Sequence, residues 1–235
     1  MKKFILFFLI SLVLLTMSFG QTAEKYFDRG NVKFENQDYR GAISDFTLAL
    51  KISPKYAGAY YGRGFSKAMQ EDYQGAIIDF TKAIEINPEV PESYTERGHS
   101  KYILHDYHGA IVDLNKSIEI NSNNDDSYLY RGEAKYKLDD YRGAISDLSK
   151  AIELKPSSIA YYVMGTAEGL LNDSKSALFD LTKAIELNPN YAEAYFNRGI
   201  AKLNLGDKES GCLDLSKAGE LGLKKAYDAI KKECK

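Results

Sequence analysis

The chain contains no run of lysine or arginine. Its 31 basic and 33 acidic residues alternate, for a formal charge of −2. Nucleic-acid binding needs a basic stripe or patch to replace the counterions of a phosphate backbone, and that footprint is missing. Cysteine is nearly absent: Cys212 and Cys234 are too few for a zinc-type cluster. Histidine numbers three. His105 and His108 bracket Asp106-Tyr107, with His99 one or two helical turns upstream, but they fall where sister segments carry Gln, Glu, Asp, Arg or Asn. An exposed turn explains them without a metal. Neither a nucleophile motif nor a glycine-rich phosphate loop occurs, so no catalytic residue and no cofactor is expected. Proline is sparse too, with five residues, and Pro54, Pro88, Pro156 and Pro189 stand at intervals near 34 or its double.

Repetition is what the chain has instead. The octapeptide DYRGAISD at 38–45 returns at 140–147, with DYQGAIID at 72–79 and DYHGAIVD at 106–113 between them. Gly30, Gly64, Gly98 and Gly132 follow at 34-residue steps, Gly165 after 33 and Gly199 after 34. A fixed period of this length marks a stack of supersecondary units. Six copies result: 23–56, 57–90, 91–124, 125–157, 158–191 and 192–225.

The first twenty residues, MKKFILFFLISLVLLTMSFG, differ from all that follow. Two lysines, a short apolar run and small residues at 18 and 20 match a secretory signal peptide. Phe4 to Phe19 is shorter than the ~20 residues that span a bilayer. Segment 1–20 is therefore expected to be removed, leaving an exported chain, periplasmic or secreted if bacterial, with no membrane insertion. Removal of Lys2 and Lys3 takes the formal charge from −2 to −4.

Within a copy, apolar residues recur at helical spacing in two blocks. Asp38, Asp72, Asp106, Asp140, Asp173 and Asp207 precede the second block, where a carboxylate caps the free N–H groups of the coming helix. The prolines end that helix. Each copy reads as a helical hairpin, closed by small residues such as Gly64 and Ala76. Tyr60, Phe80 and Ile84 are expected to fill the space between hairpins. Asp45, 79, 113, 147, 180 and 214 recur alongside Arg29, 63, 97, 131 and 198, and structural ion pairs account for them better than catalysis. Lys82/Glu85 and its four equivalents are expected to be solvated pairs worth a few tenths of a kcal/mol at most. The fifth copy has Met164, Glu168, Ser174 and Ser176 where others hold Arg, Lys, Tyr and Gly, so a local change of stacking is expected there.

A 34-residue unit with an aromatic fourth, Gly eighth, Ala twentieth, Phe or Leu twenty-fourth, Ala twenty-seventh and Pro thirty-second resembles the tetratricopeptide repeat. The second copy supplies Tyr60, Gly64, Ala76, Phe80, Ala83 and Pro88. Ser117, Ser122, Gly211 and Leu223 depart from the pattern. The resemblance implies an all-α, right-handed superhelical α-solenoid of six hairpins whose first helices line a concave groove for a peptide or protein partner. It puts the fifth, ninth and twelfth residues of each copy in that groove: Tyr61, Phe65 and Ala68; Thr95, His99 and Tyr102; Leu129, Glu133 and Tyr136; with Tyr162 and Phe196 continuing the line. Tyr60, Tyr94, Tyr128, Tyr161 and Tyr195 hold the packing position, so these rings are surplus to it. A ligand across copies two to four is expected, neutral or basic because Glu96, Asp126 and Glu133 are near. The carboxylate clamp by which some relatives hold chaperone tails would fall at Phe27, Asn31, Gly62, Glu92 and Glu96, and only Asn31 suits it. A non-enzymatic interaction scaffold is the leading expectation, with a structural spacer or an accessory subunit of an extracytoplasmic enzyme or assembly complex as the alternative.

Repeat stacks need a terminal element over the last apolar face, and 226–235 reads as a capping helix. If it folds back about residue 223, Cys212 and Cys234 lie eleven residues either side of the turn. Export would expose them to an oxidising compartment, so a disulfide is expected. Cleavage is expected between Gly20 and Gln21, and the intact mass of extracytoplasmic protein checks it. A mass that retains Met1–Gly20 would mean a membrane anchor instead.

Overall fold

The computed structural model describes residues 22–234, so the expected signal segment lies outside the described residues. Among the described residues there are helices and no strand. The first compact unit, ending at Ile120, holds α1 (22–35), α2 (Tyr39–Ile52), α3 (Ala57–Ala68), α4 (Tyr73–Ile86), α5 (Pro91–Ile103) and α6 (Tyr107–Ile120). The second, beginning at Asn121, holds α7 (Asp125–Lys137), α8 (Tyr141–Leu154), α9 (Ser158–Leu170), α10 (Ser174–Leu187), α11 (Ala192–Asn204), α12 (Lys208–Glu220) and α13 (Lys225–Glu233). Helices pair in chain order into three hairpins per unit, and α13 packs on α12.

Each hairpin turns in the same way. The residue before the capping Asp takes a left-handed φ of 61–64° at Gln37, Glu71, His105, Asp139 and Asn172, and 87° at Gly206. The Asp side chain then accepts the N–H three residues on, as Asp72 does from Gly75 at 2.9 Å. His105 belongs to this turn, and its Nδ1 lies 2.9 Å from the Tyr107 hydroxyl. The interior of each hairpin is a small residue against a large one. Phe46, Phe80, Leu114, Leu148, Leu181 and Leu215, the twenty-fourth residues, are fully buried. They occupy the space that the eighth-residue glycine leaves open: a Cβ on Gly98 would stand 2.9 Å from Leu114 Cγ. Gly199 is tighter, since its Cβ would meet the Gly211 carbonyl oxygen at 2.9 Å. The departure at Gly211 thus answers Gly199 across the hairpin.

Beneath each hairpin lies a buried carboxylate. Asp45, Asp79, Asp113, Asp147, Asp180 and Asp214 are all at most 6% exposed. Five of them are clasped from both sides. Arg63 donates to Asp79 through Nε (2.9 Å) and an Nη (2.6 Å), and Lys67 Nζ adds a third contact at 2.7 Å. Arg97/Lys101, Arg131/Lys135 and Arg198/Lys202 repeat the arrangement on Asp113, Asp147 and Asp214, and Arg29/Lys33 on Asp45. The Arg29 hydrogen bond holds Asp45 below the usual carboxylate range. The arginines also reach the preceding hairpin, since Arg97 donates to Thr81 Oγ1 at 3.0 Å. Their guanidinium groups lie over the fourth-position tyrosines, 5.4 Å from Tyr60 and 5.3 Å from Tyr195. Lys82–Glu85 and its equivalents are the exposed pairs expected.

The fifth hairpin breaks the clasp. Met164 and Glu168 replace both cations, so Asp180 faces a second acid. The Glu168 Oε2 atom is buried with no hydrogen-bond partner unless one carboxyl keeps its proton. Burial, then the Asp180 contact, pushes Glu168 up to about 8, and burial raises Asp180 as well. The expected change of stacking is not what the divergence produces: α9 packs on α8 and α10 as α5 does on α4 and α6. The lost residue falls in the linker, where Ser157 caps α9 by accepting from Ala160 N. The difference is one of charge, since two sequence changes meet at one buried carboxylate.

Cys212 and Cys234 are joined in a disulfide with Cα atoms 5.8 Å apart, tying the end of α13 to α12. Ala226 is buried, and the Tyr227 ring covers Gly219, whose Cβ would meet Cζ at 2.9 Å. The terminal helix caps the last hairpin.

An acid raised above its ordinary value in the fold stabilises fully below the unfolded value and loses that contribution as pH rises through the folded one. The melting temperature should therefore fall from about pH 5 to pH 8 through Glu168. Met164→Arg with Glu168→Lys rebuilds the clasp, so it should raise melting and take the Glu168 share out of that slope, at about 2–4 °C per kcal/mol for a chain of this length. Calorimetry across the range checks it, and an unchanged slope would place the titration elsewhere.

Candidate protein-binding site

In the first unit, Tyr61 and Phe65 sit on one face of α3 and stack, ring centroids 6.0 Å apart. Phe65 also meets Phe34 of α1 at 5.2 Å, and Tyr61 reaches Phe80 at 5.7 Å. The rings are half-buried, with an outward side and a side fixed by neighbours. Burial, then the Glu96 and Glu92 carboxylates, raises the Tyr61 hydroxyl far above its ordinary range. On α5, His99 and Tyr102 stack at 6.5 Å, and Tyr102 meets Tyr107 of α6 at 5.6 Å. Burial lowers the His99 pKa, so the ring is neutral at pH 7. Thr95 does not belong to this surface. It is 3% exposed, donates to the Pro91 carbonyl, and shares a 2.8 Å hydrogen bond with Ser117 Oγ. The sequence departure at Ser117 is what draws Thr95 inward.

In the second unit, Leu129 and Tyr136 of α7 pack at the edge of the cluster built on Ala144, Leu148 and Ala160. Tyr136 lies 5.7 Å from Tyr141, with Lys137 Nζ over its ring at 5.8 Å. Glu133 lies between them on the helix, and burial pushes its carboxyl up to about 7 against the pull of Lys137. Tyr162 of α9 packs on Tyr191 at 4.7 Å, and Phe196 of α11 carries Lys225 Nζ at 4.3 Å. Both rings remain half-buried.

Periodicity within a helix did not pick out Tyr191 and Tyr56. Each ends its copy just before the next first helix and folds back on a fifth-position ring, Tyr191 on Tyr162 and Tyr56 on Phe27 at 4.8 Å. Their signal was the tyrosine following Pro-Asn and Pro-Lys in the linkers. Burial, Tyr162, Glu193 and Glu133 together raise the Tyr191 hydroxyl. Each unit therefore presents half-buried rings beside carboxylates. Among the described residues no three of His, Cys, Asp and Glu converge as a metal site requires.

Three models of the tetratricopeptide repeat match the chain: one at 23–56, 125–158 and 159–191, another at 57–90 and a third at 181–212. No curated protein matches it. Among solved structures, MamA is similar at 26% identity over 70% of this chain and 96% of its own, with a TM-score of 0.63. YrrB, described as a TPR protein with an unusual peptide-binding site, is 22% identical over 79% of this chain and 97% of its own, with a TM-score of 0.68. PilF of Pseudomonas aeruginosa shares the fold at 13% identity, covering 92% of this chain and 99% of its own, with a TM-score of 0.80.

Glu133 should titrate with a midpoint near 7, followed through its side-chain carboxyl carbon by NMR. Its folded value lies above its ordinary one, so its share of stability is lost as pH rises through 7, and Glu133→Gln should remove that share. A midpoint in the ordinary glutamate range would show a solvated carboxyl.

Proposed function

Because the chain belongs to the tetratricopeptide repeat family, we propose that it is a non-enzymatic scaffold whose first-helix faces bind a peptide or protein partner. The observation that carries this reading is the second set of aromatic rings. The fourth-position tyrosines already lie beneath the clasping arginines. Tyr61, Phe65 and Tyr102 in one unit, and Tyr136, Tyr162 and Phe196 in the other, are held by neighbours yet keep a face outward. Rings whose rotamers are fixed beforehand lose little freedom on binding, and such residues dominate protein interfaces. The peptide-binding site named for the similar protein YrrB supports the same use of the fold.

The partner in this reading is neutral or basic. Glu92 and Glu96 act on Tyr61, and Glu133 and Glu193 on Tyr191, so an acidic segment would meet like charge. The protein is exported in this reading as well. The basic start and short apolar run of 1–20 support it, and so does the Cys212–Cys234 disulfide, a bond that persists in oxidising compartments.

Crosslinking in the native compartment identifies the partner, and direct binding then tests the face. Replacing Tyr61, Phe65 and Tyr102 by Ala should abolish that binding while far-ultraviolet circular dichroism still reports a helical chain. Some loss of melting temperature comes with it, because Tyr61 packs on Phe80 and Phe65 on Phe34. Undiminished binding by the helical triple variant would refute the assignment.

A further inference from the structure

Three of the first four hairpins close the open end of their first helix with a pair of rings. The twelfth residue meets the tyrosine that starts the second helix: Phe34 on Tyr39 at 5.3 Å, Tyr102 on Tyr107 at 5.6 Å and Tyr136 on Tyr141 at 5.7 Å. The second hairpin keeps one ring, Tyr73, opposite Ala68. The sixth has no ring there but fills the place with Leu203, whose Cγ would lie 2.9 Å from a Cβ on Gly211. The fifth has neither, with Gly169 and Ser174 at the two positions. A Cβ on Gly169 would find nothing nearer than Ala177 Cβ at 4.0 Å.

A cavity of about 170 Å³ opens at this place, lined by Gly165, Gly169, Ser174 and Ala177 of the fifth hairpin and by Asn197 and Ile200 of α11. Its lining is mainly apolar, with Ser174 and Asn204 as further polar side chains beside the edge where Asn197 Nδ2 donates to Thr166 Oγ1 at 2.9 Å. An apolar cavity of ~150 Å³ is enough to hold a benzene ring. The space therefore matches the side chain its sister hairpins supply from within.

We propose that this cavity is a socket for one aromatic side chain of the bound partner. Thr166 and Gly169 are the ninth and twelfth residues of α9, so the socket continues the face that carries Tyr162, and the proposal rests on the reading of that face as partner-binding. An aromatic anchor in a preformed pocket buries much apolar area for the loss of only two side-chain torsions, and the asparagine edge suits a phenol hydroxyl. The partner segment thus carries a tyrosine or phenylalanine that enters between α9 and α11.

Single amino-acid amides probe the socket without the partner, so a failed socket leaves the triple-variant result standing, and the reverse holds too. The isotope-labelled chain is titrated with N-acetyltyrosinamide and, separately, with N-acetylleucinamide. Saturable NMR shifts are expected at the Gly165, Gly169 and Asn197 amides with the tyrosine compound, at least about tenfold tighter than with leucine. Gly169→Leu, which installs the sixth hairpin's residue, should abolish them. If that variant does not fold, Ser174→Tyr closes the cavity from its other wall and is read in the same way. Absent shifts, equal binding of the leucine amide, or wild-type binding by a folded filled-in variant overturns the proposal.

Discussion

A carboxylate buried between two helices obliges everything around it to answer. Left alone, such a charge costs several kcal/mol, and the remedy has to be built into the neighbouring chain. Here an arginine from the first helix provides a two-point contact, a lysine one turn later completes it, and the arginine's far side leans on a tyrosine ring. The hydroxyl of Thr81 takes another guanidinium proton, which carries the connection back into the preceding hairpin. One acidic side chain thereby sets the approach of the two helices and the register between hairpins. The glycine facing Leu114 or Leu148 is the steric counterpart, since the carboxylate can be clasped only if the helices come that close.

That frame frees the outer face of the first helices for other uses. Because the fourth-position ring serves the clasp, the ring beside it at the fifth or ninth position has no part in holding the carboxylate. It is held instead by other aromatics, Phe34 on Phe65 or Tyr191 on Tyr162, which limits its motion while leaving one side outward. Glu133 sits among such rings with its proton affinity raised, so the charge of this face changes near neutral pH. Surface and interior are thus coupled through the same helices but carry different chemistry.

The hairpins, their caps, the Arg–Asp pairing and the terminal disulfide could all be read from the sequence, because each follows from spacing along one chain. The lysine contribution to the clasp could not, since its importance appears only when two helices face each other. Thr95 was misplaced for a similar reason: its helical position points outward by count, yet Ser117 on the neighbouring helix offers a hydrogen bond that turns it in. Substitutions at 164 and 168 were visible as anomalies, but their meeting at Asp180 was not. The cavity at Gly169 depends on two absences that a linear reading does not link, one at Gly169 near the end of α9 and the other at Ser174 at the start of α10.

The hairpin turns carry a separate consequence. Five of the six place a residue with a side chain where the backbone is left-handed, and only Gly206 avoids the penalty. Each such residue costs ~1 kcal/mol relative to glycine, so the five together hold a few kcal/mol against a typical folding free energy of 5–15. This amounts to engineering headroom. Glycine at Gln37, Glu71 and Asn172 would make a hardier scaffold without altering a clasp, a ring or the cavity, because those side chains are exposed at the hairpin tips, whereas Asp139 holds the Tyr141 hydroxyl at 2.6 Å.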